Sequence, residues 1–546
     1  MSITLGRLPT VFGHATSGAP ISHFGSSRIT MIHDSPAHRI FKISELARLI
    51  TSQLILISRR SAVNLACACR YLEEPVLSTL WETQSSLCNL LRVLPKETWS
   101  HRYMQTWGRV NVWYAARISR WRNRTIKFRI MQLRIVGDPS PEAWNRVRRY
   151  ASWMCGLRVD EWSIITEDTF RKLCLNSPTG GWFPALQDIY WGITESNLLH
   201  TDVFFPPHLT RITIYMPRSR RNSKLSRDIL VAFTSTIAAF PASTLQSLSI
   251  HVERGAPSVG LEDTLSSFAL QCGPSLTEFA SPIPLSDAAV NHLIQLPHLH
   301  TLRIENTPPT YSASSLPLAF PPLTKLTLGE NVVHKWLPLF ERPEDGGSIM
   351  QNVPPLSRVK ASLKSLKVEG SSGLVIDVFF TSPFRTLRNL VDLCVEVGCP
   401  YEADKCAFKL DDDSITKLVM ALPQLQGLYL GSPCRKNTCT TTVASFLPIS
   451  VHCVKLRQLG IHFNTTNIIE DLMNISKDPR FQQIHSLPRC TLSRLFVGEI
   501  PLTLDGPGFA TVVDGMIGIF PSLERCVAIG PDWNEISERM AKRREV

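Results

Sequence analysis

The chain has 546 residues, 44% of them hydrophobic and 19% charged, a balance that excludes general disorder and a long solvated coiled coil. A membrane-spanning helix needs about 20 consecutive apolar residues, and the best stretch, Ile229 to Phe240, is broken by Thr234, Ser235 and Thr236. The net charge of +12, from 58 basic against 46 acidic residues, suits an anionic partner only if the surplus is concentrated.

Residues 1–37 are rich in Gly, Ser, Thr, Pro and His, with Asp34 as the only acid. They cannot bury a core, and a disordered tail is expected. Pro9, Gly13, Gly18 and Pro20 leave no compact apolar block, so no secretory leader is expected. The 14 cysteines are scattered without a CxxC pair. Reduced thiols in a cytoplasmic or nuclear protein are expected, with no metal and no cofactor.

Residues 38–81 predict three short amphipathic helices. The first carries Leu46, Leu49, Ile50, Leu54 and Ile57 at helical spacing, with Ser44 as its cap. The second follows the charged break Arg59-Arg60 with Leu65, Cys69 and Leu72. The third is expected to start at Pro75 and to bury Val76, Leu77, Leu80 and Trp81. So small a unit hides too little surface to stand alone and calls for a partner or a neighbouring domain.

Residues 82–185 are expected to be a helical basic linker leading into the first atypical repeats. Between His101 and Tyr150, twelve cations face only Asp138 and Glu142, so ten of the net positive charges lie in this segment. Trp107, Trp113, Tyr114, Trp121, Trp144 and Tyr150 interleave with the arginines. Such a pattern can stack on bases and neutralise phosphates, which makes a nucleic-acid-binding role for 101–150 the alternative to a connector whose aromatics pack on its flanks.

Residues 186–546 are organised by a repeated phrase: Leu, two variable residues, an aliphatic, one variable residue, another aliphatic. Nine clear copies start at Leu209, Leu245, Leu299, Leu323, Leu363, Leu390, Leu425, Leu456 and Leu492. Weaker ones stand at Leu186-Ile189, Leu276-Phe279 and Leu523-Val527, giving a period of about 31 residues. An acidic residue, a helix-length segment and Leu-Pro precede the phrase in both 287–304 and 413–430. Each unit therefore reads as helix, turn, strand, and parallel strands joined by helices stack into a solenoid.

The familiar catalytic motifs are absent: no Gly-rich phosphate loop, no GxSxG, no HExxH. The run Asp411-Asp412-Asp413 is read as the start of a helix rather than a cation site.

The segment Ile43-Ser44-Glu45-Leu46, with Leu49-Ile50, Leu54, Leu65, Cys69-Arg70, Glu74-Pro75 and Leu80-Trp81, resembles the F-box of fungal F-box proteins. The phrases behind it resemble the leucine-rich repeats that commonly accompany that box, and 143–151 resembles the linker found between them. The resemblance implies an α/β chain in which a three-helix F-box precedes an irregular leucine-rich-repeat solenoid, a horseshoe of parallel strands and helices. It implies a substrate-recognition adaptor of an SCF-type ubiquitin ligase, a chain that performs no chemistry itself. Ile43, Leu46, Leu49, Ile50, Leu54, Leu65, Cys69, Pro75, Leu80 and Trp81 would dock on Skp1 and through it on a cullin, while the repeats bind a target protein. A leucine-rich-repeat scaffold without ligase connection is a further alternative.

Within each phrase the aliphatics should point inward, so period-two alternation turns the intervening residues outward. That rule makes Arg211, Tyr215, Arg303, Glu305, Tyr429, His462, Arg494 and Phe496 the expected target-binding residues, with Thr213, Thr301 and Gln458 beside them.

Overall fold

The computed structural model describes residues 44–68, 70–109, 125–159, 165–193, 203–216, 234, 237, 242–252, 261–306, 322–330, 332–334, 336, 362–370, 374–397, 406–431, 439–484, 490–498, 502, 504, 506–528 and 531–544. The expected tail 1–37, Ile43, Cys69 and residues 110–124 of the basic segment lie outside them. Two compact units divide the chain, Met1–Leu80 and Trp81–Val546.

The first unit contains helices α1 (Ser44–Ile57), α2 (Arg59–Ala68) and α3 (Arg70–Glu82), the last running two residues past its boundary. Arg59 and Arg60 do not break the chain between helices as expected; they open α2. The break is Ser58, whose hydroxyl accepts from the Ser61 N–H at 3.2 Å and caps α2. Nor does α3 start at Pro75. It begins at Arg70 and carries Pro75 inside it, so Leu72 belongs to α3 rather than α2. Proline costs the helix one backbone donor, and the Pro75 carbonyl still accepts from Ser78 Oγ at 3.0 Å and Thr79 Oγ1 at 2.8 Å. Ala47, Ala62, Ala66, Leu72 and Val76 form the core of this unit, with Leu54, Ile55, Leu65 and Leu80 half-buried against it. Three of those five buried residues are alanines, so the apolar area removed from water is small.

The second unit is a solenoid-like α/β fold built on one parallel sheet of fourteen strands. Its strands are β1 (Thr83–Gln84), β4 (Gly156–Val159), β5 (Asp188–Gly192), β6 (Arg211–Met216), β7 (Ser247–Val252), β8 (Glu278–Ser281), β9 (Thr301–Ile304) and β10 (Lys325–Gly329), followed by β11 (Ser365–Gly370), β12 (Asp392–Val397), β13 (Gly427–Leu430), β14 (Gln458–Ile461), β15 (Arg494–Gly498) and β16 (Arg525–Ala528). They pair in chain order, each with the next. The two strands missing from that order, β2 (Trp99–Arg109) and β3 (Thr125–Ile135), form an antiparallel hairpin between β1 and β4. Segment 82–185 is therefore not a helical linker. It opens the sheet at Thr83, carries the hairpin, and is helical at Leu87–Leu91, Pro141–Ala151 and Glu167–Leu175, with one 3-10 turn at Lys96–Thr98.

All 27 aliphatics of the nine clear phrases are at most 3% exposed. The phrase is thus the inward face of each strand, and the period of two fixes register wherever one face is buried. The last weak copy reads differently from expectation: Leu495 pairs with Cys526 and Phe496 with Val527. Cys526 is the buried residue, and Val527 lies half-buried on the other face.

Just before each strand, one carbonyl accepts two successive N–H groups from the next unit. Twelve such carbonyls follow one another from Cys155 to Ser493, with N···O distances of 2.7–3.1 Å. Main-chain bonding therefore links each unit to the next whatever the side chain, and the hydroxyls of Thr210, Thr277, Thr324 and Ser493 add to it by donating to the carbonyl of the preceding unit at 2.9–3.2 Å. The expected helix before the strand is present where the sequence placed it. Ser286, rather than Asp287, caps the helix Asp287–Leu293 by accepting from the Ala289 N–H at 3.3 Å, and Asp287 occupies its first turn.

Candidate functional site

Two surfaces hold the expected site residues, one on each unit. On α1, Leu46, Leu49 and Ile50 are 38%, 59% and 38% exposed, and their spacing places them on one helix face. That face lies opposite Ala47 and Thr51, which are buried; the Thr51 hydroxyl donates to the Ala47 carbonyl at 2.7 Å. The other expected docking residues on described positions are not equivalent. Leu54, Leu65 and Leu80 support the unit's own core, and Pro75 is half-buried. Trp81 packs within the second unit, its ring 4.8 Å from that of Tyr150.

On the second unit the site is the open face of the sheet, whose rows follow from the register. One row runs Asp188, Arg211, Ser247, Glu278, Thr301, Lys325, Ser365, Asp392, Gly427, Gln458, Arg494, Arg525. Two residues further along each strand lie Tyr190, Thr213, Ser249, Ala280, Arg303, Thr327, Lys367, Cys394, Tyr429, Gly460, Phe496 and Val527. Arg211 is exposed, and Tyr215, Arg303, Glu305, Tyr429, Arg494 and Phe496 are half-buried, all where alternation expects them. His462 is not. It is 3% exposed, with its ring 6.3 Å from that of Phe408, because β14 ends at Ile461 and the alternation ends with it.

The middle of this face carries a chain of ion pairs. Arg303 bridges Glu305 at 2.6 Å and Glu369 at 2.9 Å, and Lys367 bridges Glu369 at 2.8 Å and Glu396 at 3.1 Å. Glu369 and Glu396 stand in register on adjacent strands, an arrangement of like charges that is unfavourable without the lysine between them. Gly329, in register with Glu369, occupies the strand position between Glu305 and Glu369. Burial pushes the Glu305 carboxyl above the usual range despite the Arg303 pair. Burial also works against ionisation of Glu369, but the bonds from Lys367 and Arg303 outweigh it and hold that carboxyl low. The Cys394 thiol beside them is pushed up to about 12, first by burial and then by Glu396. It is a packed thiol, not a nucleophile.

These opposite shifts predict opposite responses. Glu369→Gln is expected to cost about 1 kcal/mol at neutral pH, whereas Glu305→Gln should be close to neutral, since it removes a charge that burial disfavours. The folded carboxyl of Glu369 titrates lower than in the unfolded chain. Its contribution is complete above roughly pH 4.3 and disappears as the pH falls through the folded value. Hydrogen exchange of β9 to β12 at neutral and acid pH checks this; equal effects of the two substitutions at pH 7 would refute the reading of the network.

Three described cations of the basic segment are engaged locally. Arg134 pairs with Asp168 at 3.5 Å, Arg148 donates to Asn145 Oδ1 at 2.8 Å and to the Asn176 carbonyl at 3.0 Å, and Arg149 lies over the Trp153 ring. Trp144 is buried against Trp182. A cleft of about 500 Å³ is lined by Ser100, Gln132, Arg134, Thr166, Asp168 and Arg171 among others, and its charges are paired, Arg171 with Glu167 at 3.3 Å.

The three carboxylates at 411–413 are accounted for by packing. Asp411 caps its helix through the Ser414 N–H at 2.8 Å, Asp412 accepts from Thr442 N and Oγ1 at 2.8 Å each, and Asp413 pairs with Lys417. Among the described residues no group of His, Cys, Asp and Glu is placed to hold a metal ion, and no helix is long and apolar enough to cross a membrane. No protein-family model matches the chain, and no curated protein matches it significantly.

Proposed function

We propose that the chain is a recognition adaptor, an F-box protein with leucine-rich repeats, that brings a target protein to an SCF-type ubiquitin ligase. In this reading α1 to α3 dock on Skp1, a cullin joins through Skp1, and the open face of the parallel sheet holds the target. The observation that carries it is the exposed stripe of Leu46, Leu49 and Ile50 on a three-helix unit whose own core is mostly alanine. An amphipathic helix with an unpartnered apolar face suits helix-in-groove docking. The residues of that stripe are those that the F-box resemblance assigns to Skp1. A sheet face lined by half-buried aromatic and charged side chains supplies the types that anchor protein interfaces.

The test is co-elution of the full chain with purified Skp1 in size-exclusion chromatography, followed by addition of a cullin. A stable complex of the first two that then recruits the third is expected. A folded chain that elutes apart from Skp1 would remove the adaptor reading.

A further inference from the structure

The charges on the open face are matched along most of its length, and the mismatch falls at one end. Asp188 lies in the field of Arg211 and Asp392 in that of Lys325. Glu278 accepts from Ser247 Oγ at 3.2 Å, and the Arg158 guanidinium covers the Tyr190 ring at 4.5 Å. Arg303, Lys367, Glu305, Glu369 and Glu396 satisfy one another. Arg494 and Arg525 differ. They stand in direct register on β15 and β16, and among the described residues neither guanidinium has an ion pair or side-chain hydrogen bond. Glu524 precedes Arg525 and is exposed, but it forms no ion pair with either.

Adjacent strands are about 4.8 Å apart, so two register-paired guanidinium groups repel in the free protein and can both donate to one carboxylate placed between them. Beside them on the same strands lie Phe496 and Val527, in register and half-buried. The Tyr429 ring continues this apolar shelf by lying over Gly460: a Cβ added there would come within 2.1 Å of Tyr429 Cδ2. Gln458 borders the shelf in the row of the arginines.

We infer that the β13–β16 end of the open face binds an extended protein segment with an acidic residue and an apolar one two positions apart, the acid seated between Arg494 and Arg525 and the apolar side chain on Phe496 and Val527. This deepens the adaptor reading by giving the chemistry of its target, and it rests on that reading only for its biological role. The charge is complementary, and the two-residue spacing follows because neighbouring positions on a strand's open face lie two residues apart, as do those of an extended partner.

The experiment is fluorescence anisotropy of the full chain with a labelled peptide carrying glutamate and leucine two residues apart, beside its glutamine analogue and a labelled single-stranded oligonucleotide. The glutamate peptide is expected to bind at least about tenfold more tightly than the glutamine peptide and to weaken as salt is raised. Arg494→Glu with Arg525→Glu should abolish the preference, and Arg494→Gln with Arg525→Gln should reduce it with the melting temperature unchanged. Failure of the glutamate peptide to bind, equal binding of the glutamine peptide, or unaltered affinity in the reversal variant overturns the proposal. Tighter binding of the oligonucleotide also overturns it, in favour of a nucleic-acid partner. Skp1 co-elution is measured on the same samples: peptide failure with Skp1 retained removes this inference alone, and Skp1 failure with peptide binding retained removes the adaptor reading alone.

Discussion

Leu49→Asp combined with Ile50→Asp is expected to abolish Skp1 binding while leaving the chain folded. Both side chains are exposed in the free chain, at 59% and 38%, and neither belongs to the core of Ala47, Ala62, Ala66, Leu72 and Val76. Surface substitutions of this kind usually change stability by about 0.5 kcal/mol or less, with a small further loss because aspartate is a poor helix former. In a docked complex the balance reverses. Loss of apolar burial costs about 1.5 kcal/mol or more for each side chain, and desolvating two carboxylates in an apolar groove adds a few kcal/mol more. Together these raise Kd by at least about a thousandfold. Titration calorimetry with purified Skp1 reads this directly, and circular dichroism reports the fold. Undiminished affinity in a folded double variant would show that α1 is not the docking helix.

Gly329→Ala is expected to be the most damaging addition of a methyl among the described glycines of the second unit. A Cβ at this position would lie 1.8 Å from the Glu305 carbonyl oxygen and 2.5 Å and 2.6 Å from the carbonyl carbon and Cα of the same residue. All three atoms are backbone, so no rotamer change relieves the clash and the end of β9 has to move away from β10. Overpacking in a well-packed interior costs about 1–3 kcal/mol and sometimes more. Because solenoid units touch chiefly their neighbours, the opening should be concentrated around β9 to β11. Hydrogen exchange there should accelerate by tenfold or more while β4 to β6 keep their protection. Gly460→Ala makes the control: its Cβ would meet the ring of Tyr429, a side chain that can turn aside. Unchanged exchange and melting in Gly329→Ala would show that the backbone approach is not as tight as described.

The strand phrase was legible because burial and spacing coincide: each clear copy opens on leucine and presents three aliphatics to the interior. The earliest sheet strands escaped for a chemical reason. β4 carries the same phrase as Met154, Leu157 and Val159, all buried, with methionine in place of the leading leucine. The buried residue of β1 is Gln84, which no hydrophobic pattern can find. The β2–β3 hairpin was hidden by its own composition. Ile126, Phe128 and Ile130 alternate as a strand should, but Lys127 and Arg129 between them read as part of a charged linker.

For the candidate site, the outward positions followed from alternation as long as a strand lasted, and failed at His462, one residue past its end. The ion-pair chain was beyond reach. Arg303 and Glu369 are 66 residues apart and meet only because β10, with Gly329, separates them by one strand position. The placement of Trp81 on Tyr150 was unreadable for the same reason. A pairing between distant segments depends on register, and register is set by the whole sheet.

The twelve paired carbonyls between Cys155 and Ser493 bear on how such a chain can diverge. The residues that supply them include Cys155, Gln187, Thr210, His300, Lys364, Val391 and Arg457, with little in common but a peptide group. The hydroxyls of Thr210, Thr277, Thr324 and Ser493 also donate to the carbonyl of the preceding unit, but the main-chain bond is made by the carbonyl whatever the side chain, so a change of side chain at these positions leaves that bond in place. The rim along which they lie can exchange charge, size and polarity one residue at a time while the strands keep their order. A lineage can therefore redraw one border of the molecule with point mutations, and leave the architecture that presents it as it was.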